Sequence, residues 1–279
     1  MKYPEIPRYY AGAYDIRTSY YMAGQRNGGT PIVMLHGMST SADSFREIMH
    51  ELADSYWVIA PDIPGFGYSD NTSPYTIPHL VEWLADWQWS LDLPPTVLLG
   101  HSFGGILAAS YALAYPEEVH RLLLLAPAIL SGGNYPDLLK KVGIGLGLVD
   151  MGSAVSQSRL MVKRQIKVPF YDAEQFDESL WERRLKDYEL ARASADVLKA
   201  TAFYNIRTSL ANISHPTCLI WGENDPVVPP SDAEVLAGMI PHTSVHKLPE
   251  CGHLPMVEQR EMFLTITRSF LPGQEGAHY

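Results

Sequence analysis

Cysteine is scarce: Cys218 and Cys251 are the only two in 279 residues, too few for a disulfide framework in a chain of this length. Cys218 opens one apolar segment of strand length and Cys251 follows the next, which in a parallel sheet puts them at opposite ends and argues against a bridge. Metal-ligand spacings are missing too. There is no C-x-x-C, no H-E-x-x-H and no tight His/Asp group, so neither a metal nor another cofactor is expected. Basic residues are in the minority, 21 Lys and Arg against 31 Asp and Glu for a formal charge of -10, and they form no run; this argues against a nucleic-acid partner. No stretch approaches the roughly 18 consecutive apolar residues of a membrane span, and Met1-Lys2-Tyr3-Pro4-Glu5-Ile6-Pro7 lacks the apolar core of a secretion signal. The expectation is a soluble, cytoplasmic monomer or homodimer with no membrane partner, long enough for one large domain with an inserted lobe.

Glycine, by contrast, stands where chemistry can use it. The apolar residues 96–99 run straight into Gly100-His101-Ser102-Phe103-Gly104, and a helical pattern of small residues, 106–114, follows at once. This is G-x-S-x-G in a strand, turn and helix setting. At such a turn the serine is held in a strained conformation with its hydroxyl raised clear of the sheet, and the flanking glycines remove Cβ atoms that would collide as strand and helix close. Ser102 is therefore a candidate nucleophile. A glycine-rich turn without chemistry is the alternative that the pentapeptide alone leaves open.

From the N-terminus, residues 9–16 and 18–22 read as an antiparallel hairpin at a sheet edge, with turn residues Gly24, Asn27, Gly28 and Gly29 after it. Residues 31–35 form a buried parallel strand that ends at His36-Gly37-Met38. Ser44 and Glu47 have capping-box spacing ahead of a helix to Ala53, residues 57–60 are the next strand, and 61–69 is a loop rich in Pro and Gly. A helix over 76–91 carries Leu80, Leu84, Trp87 and Leu91 along one face, and the group Trp83, Trp87 and Trp89 is read as core packing rather than a ligand site. A third buried strand covers 121–126.

Between 129 and 212 the strand pattern vanishes: Gly143, Gly145, Gly147 and Gly152 break one helical segment, and 173–200 reads as charged amphipathic helices. This is the pattern of a helical insertion lying over a sheet. Strands resume at 217–221 and 244–248, with a helix capped by Ser231 and Glu234 between them and a last helix over 256–270. Repeated strand and helix with one interruption predict an α/β fold with a mostly parallel, doubly wound sheet. Its core would span 1–129 and 213–279, and its helical cap 130–212.

Ligands of such sheets bind outside the carboxyl ends of the strands. Ser102, Asp225 and His253 each lie just past a strand, so three side chains distant in sequence are expected to converge on one edge, in the order Ser, Asp, His. Over nearly its whole length the chain resembles the α/β-hydrolase superfamily with a helical cap. The resemblance rests on Leu35-His36-Gly37-Met38, on Pro61-Asp62-Ile63-Pro64-Gly65-Phe66-Gly67-Tyr68-Ser69, on Gly100 to Gly105, on Trp221-Gly222-Glu223-Asn224-Asp225-Pro226-Val227-Val228-Pro229 and on Cys251-Gly252-His253. It implies the α/β-hydrolase fold and a cofactor-free Ser102, His253 and Asp225 triad. By the Trp-Gly-x-x-Asp-x-x-x-Pro pattern it also selects Asp225 over the neighbouring Glu223. His101 and His36 are read as packing or loop-shaping histidines, and Asp62 as a loop scaffold.

In that arrangement Ser102 attacks an acyl carbon, His253 moves the proton, Asp225 holds the imidazole, and the backbone N–H groups of Met38 and Phe103 receive the oxyanion. Haloalkane dehalogenases and epoxide hydrolases of the superfamily use an aspartate where this chain has Ser102, and epoxide hydrolases carry a proline where it has Ser39. Hydrolases of ring-fission products keep a serine, usually with a glycine-rich oxyanion loop and a tryptophan after the catalytic histidine. Here the residues are Met38-Ser39-Thr40-Ser41 and Leu254. The expected activity is thus hydrolysis of a small or medium, uncharged small-molecule ester. Carbon-carbon bond hydrolysis, lactone hydrolysis and, in another class, a non-catalytic small-molecule receptor are the alternatives. Candidate pocket residues are Phe103, Leu254 and Met256 beside the triad, and Phe170, Tyr171, Trp181, Phe203 and Tyr204 from the insertion.

Overall fold

The structure, a computed structural model, describes residues 5–24, 30–133, 144, 146, 149–150 and 159–272. Eight strands form one sheet in the order β1-β2-β4-β3-β5-β6-β7-β8: β1 (Arg8–Ala13), β2 (Ile16–Ala23), β3 (Ile32–Leu35), β4 (Val58–Pro61), β5 (Thr96–His101), β6 (Val119–Leu125), β7 (Thr217–Gly222) and β8 (Thr243–Leu248). From β4 to β8 every pairing is parallel, while β1 and β2 add on antiparallel at one edge. Strands β3, β4, β5 and β7 are buried along their whole length, as continuous apolar runs covered on both faces must be. The edge strand β8 alternates less cleanly and stays half exposed.

Helices cover both faces of this sheet. One apolar cluster joins α2 (Ile77–Ser90), α3 (Phe103–Ala114) and α7 (Asp232–Met239) to the sheet through Leu80, Trp83, Leu107 and Leu236. A second, on the opposite face, holds α1 (Arg46–Ala53) and α9 (Arg260–Phe270) through Ile48, Leu52 and Phe263. The doubly wound α/β architecture read from the sequence is therefore the one observed.

Local differences have local causes. The edge hairpin turns at Tyr14 and Asp15, both at positive φ (53° and 58°), the geometry of a tight two-residue hairpin turn formed without the glycine or Asn-Gly signal that marks most of them. A short 3-10 turn, 42–45, precedes the first helix and is capped by Ser41, whose side chain accepts from the Asp43 N–H; Ser44 lies inside that turn, and α1 itself starts after Phe45 with no side-chain cap. Ser231 occupies the N-cap of α7 but its side chain makes no cap bond. The last helix is two, α8 (Pro255–Glu258) and α9, broken at Gln259. Trp83 and Trp87 are fully buried, whereas Trp89 is 48% exposed.

The polypeptide between β6 and β7 supplies α4 (Arg159–Gln165), α5 (Trp181–Glu189) and α6 (Ser194–Ala202), and no strand among its described residues. The expected break at Gly143, Gly145, Gly147 and Gly152 lies outside the described residues, as do Asn27, Gly28 and Gly29. This helical segment is tied to the core by charge. Arg183 bridges to Asp43 (2.6 Å) and Glu47 (2.9 Å), and Arg192 donates to the Ser69 carbonyl (2.6 Å). Burial pushes the Asp43 carboxyl up, but Arg184, Arg183 and Arg46 outweigh it and hold Asp43 below the ordinary carboxylate range. No described helix is long and apolar enough to cross a membrane.

Candidate active site

Ser102 sits between β5 and α3 with φ 52° and ψ -114°, a left-handed conformation that costs a non-glycine residue of order 1 to 3 kcal/mol. The turn is over-determined by its surroundings. The Ser102 N–H donates to the Leu125 carbonyl of the neighbouring strand (2.9 Å), and its own carbonyl accepts from Gly105 and Ala128. Gly104 is indispensable to the close approach, since a Cβ there would collide with the Leu35 carbonyl at the end of β3. The G-x-S-x-G pattern thus places a partly exposed serine on the carboxyl edge of the sheet.

The other two residues arrive from β7 and β8, whose ends are in register at Gly222 and Leu248. Asp225 Oδ1 accepts the N–H groups of Val227 (2.7 Å) and Val228 (2.9 Å). That leaves Oδ2 for His253 Nδ1, at 2.7 Å. A carboxylate only accepts, so Nδ1 carries the hydrogen and Nε2 of the neutral ring is the basic nitrogen. Both side chains are buried. Glu223, the rival acid, is exposed.

His101 links the serine loop to the histidine loop. Its Nε2–H donates to the His253 carbonyl (2.9 Å) and the two rings lie 4.8 Å apart. Burial, aided by the neighbouring His253, pushes the His101 pKa down to about 3, so this ring stays neutral. His36 is likewise a neutral loop histidine, its pKa lowered by burial: Nδ1 donates to the Gly37 carbonyl (2.8 Å) and Nε2 accepts the Ile63 N–H (3.0 Å).

Asp62 is the hub of the adjoining loops. Its carboxylate accepts from Ala42 N and Tyr68 N, both at 2.9 Å, and pairs with Arg8 at 2.7 Å. Gly67 crosses over it at φ +50, where a side chain would collide with the carboxylate. Asp62→Ala should destabilise the fold by about 3 kcal/mol in chemical denaturation, because it takes the carboxylate from Arg8 and the acceptor from two backbone donors.

Met38 lies on the loop after β3, partly buried against the core. Phe103 opens α3, where first-turn N–H groups have no intrahelical acceptor; its ring is buried and faces Phe66 at 6.5 Å between centroids. Beside these loops lies a mostly apolar cavity of about 260 Å³, walled by Ser39 and Thr40, by Leu254 and Met256, and by Ile166, Phe170, Phe176, Leu180 and Tyr188 of the helical segment. Of the expected pocket residues, Phe170, Leu254 and Met256 border this cavity, and Phe103, Tyr171, Trp181, Phe203 and Tyr204 do not. Trp181 does not border this cavity and instead packs near Lys163, and Phe203 is 42% exposed at the end of α6. Tyr171 is also largely exposed, and Tyr204 hydrogen-bonds Ser110 away from the cavity.

Residues 30–259 match the family described as the alpha/beta hydrolase fold. The chain belongs to that family. It is similar to 2-hydroxymuconate semialdehyde hydrolase of Pseudomonas sp. (strain CF600), at 28% identity over 98% of this chain and 96% of that one. It is also similar to the pimeloyl-[acyl-carrier protein] methyl ester esterase of Hamiltonella defensa subsp. Acyrthosiphon pisum, at 28% identity over 90% and 95%. Its fold is that of a thermophilic esterase from Thermogutta terrifontis, with a TM-score of 0.76 at 22% identity over 95% of this chain and 97% of that one.

In this α/β-fold hydrolase two acidic residues matter that sequence reasoning passed over. Glu258, on α8, accepts from Gly252 N (3.0 Å) and Leu254 N (3.1 Å), the residues on either side of His253, and from Tyr171 N (2.7 Å) of the helical segment. Asp187, on α5, reaches the loop after β3. Glu258 lies five residues beyond His253 at the end of a one-turn helix, a local clue. Asp187 had none. No group of three or more His, Cys, Asp or Glu gathers for a metal among the described residues.

Proposed function

We propose that this hydrolase cleaves uncharged carboxylic esters of small to medium size through an acyl-enzyme on Ser102. The observation that carries the reading is the buried Asp225 and His253 pair at 2.7 Å, joined through His101 to the serine turn. His253 Nε2 takes the Ser102 hydroxyl proton as Oγ attacks the ester carbon, then gives it to the departing alkoxide; water, deprotonated the same way, releases the acid. The N–H groups of Met38 and Phe103 meet the oxyanion, each donor being worth about 3 kcal/mol of transition-state stabilisation. The segment between β6 and β7, as a cap, encloses the acyl or alcohol group in the apolar cavity.

Ester cleavage is favoured over hydrolysis of an acidic ring-fission product by the state of the cavity's cations. Arg184 already pairs with Asp187 (3.0 Å) and lies near Asp43 and Glu47, and Arg260 pairs with Glu51 (2.5 Å). A substrate carboxylate would have to displace a protein carboxylate. The carbon-carbon bond reading rests on the similarity to the 2-hydroxymuconate semialdehyde hydrolase. A panel of p-nitrophenyl acetate, butyrate and hexanoate set against a vinylogous diketone acid separates the two. Ester turnover well above a Ser102→Ala control supports the proposal, and turnover of the diketone acid alone replaces it.

A further inference from the structure

The loop that carries Met38 is held from two sides. From the core, Gly37 O accepts from Thr40 Oγ1 (2.9 Å) and His36 Nδ1 (2.8 Å). From the helical segment, Ser41 Oγ donates to Asp187 Oδ1 (2.5 Å), and Ser39 Oγ lies 3.2 Å from Ser194 Oγ. Between these tethers Ser39 takes a left-handed conformation at φ 59°, one that a β-substituted residue keeps only where its surroundings fix it. Asp187 is buried, and its second oxygen accepts from Arg184 (3.0 Å) of the same helix.

We propose that Asp187 is a positioning residue for the oxyanion loop: acting through Ser41, with Ser194 on Ser39 as a second tether, the helical segment sets the Met38 N–H. Resting on the ester hydrolase reading above, this makes the segment part of the machinery that stabilises the transition state, beyond its role as a cover for substrate. A seated segment gives a formed oxyanion site. A displaced one leaves the Ser102, His253 and Asp225 geometry intact while the donor drifts, and a shift of about 1 Å in such a group can cost on the order of 100-fold in rate.

The test is a double-mutant cycle on the full chain with Ser41→Ala, Asp187→Ala and the pair, read as kcat and KM for p-nitrophenyl butyrate and as inhibition by an alkyl trifluoromethyl ketone, whose adduct on Ser102 bears an oxyanion. Each single change should lower kcat about 10- to 100-fold and weaken the ketone in parallel, with KM held within about twofold. The double variant should lose no more than the worse single one. Asp187→Asn, which keeps a hydrogen-bonding partner for Ser41 in either amide orientation, should recover most of the loss. Should Asp187→Ala fail to fold, Ser41→Ala alone carries the test, with the same loss in kcat and in ketone inhibition expected at an unchanged KM. Unchanged kcat, a loss confined to KM, or multiplicative losses in the double variant would overturn the proposal. Turnover that persists in Ser102→Ala would instead sink the Ser102 ester-cleavage reading beneath it.

Discussion

Replacing Ser102 by alanine should lower kcat/KM for p-nitrophenyl butyrate by about 10⁴-fold or more, with little change in thermal stability. The size follows from its place in the proposed mechanism. Without Oγ no acyl-enzyme forms, and only the oxyanion donors and substrate binding are left to act on attack by water. The stability expectation follows from the backbone. What holds the turn is main chain, the Ser102 N–H on the Leu125 carbonyl and its carbonyl under Gly105 and Ala128, and the hydroxyl provides no helix cap. Alanine at φ 52° carries the same Cβ strain as serine, so the elbow survives its loss.

Asp225→Asn should lower kcat by about 10⁴-fold while leaving KM near its original value. Asp225 Oδ1 accepts two backbone N–H groups, from Val227 and Val228, which only an oxygen can do. An asparagine must therefore keep its oxygen there and turn its NH2 toward His253. Two donors cannot face each other, so His253 would expose a bare Nδ1 and move its hydrogen to Nε2, away from the nitrogen that should take the serine proton. The effect is a wrong tautomer in an unchanged site. Glu223→Gln should leave kcat unchanged, since Glu223 is exposed and apart from this pair. Steady-state kinetics on both variants distinguish the two acids directly.

Much of the site was legible because its residues sit at strand ends, where short apolar runs, glycines and a motif coincide. Asp225 and His253 need only the order of the strands to meet, and parallel pairing of β7 with β8 supplies that order. The hairpin turn at Tyr14 and Asp15 was not legible, because its positive φ values are imposed by the flanking strands and not by residue type. The capping-box spacing of Ser44 and Glu47 is local and points to a cap at Ser44, whereas the chain caps a 3-10 turn at Ser41, a residue also held by Asp187, 146 positions away. Size and polarity alone point Trp181 and Phe203 toward a pocket. Which face of a short charged helix meets the substrate depends on its docking, and here that docking is set by Arg183 and Arg184 against Asp43 and Glu47.

The most direct measurement of the central claim is covalent labelling of the intact protein with a fluorophosphonate probe, read by whole-protein mass and peptide mapping. The expected result is one adduct per chain, on Ser102, absent in Ser102→Ala and strongly slowed in His253→Ala. An adduct on another residue, or labelling undiminished in Ser102→Ala, would contradict the account.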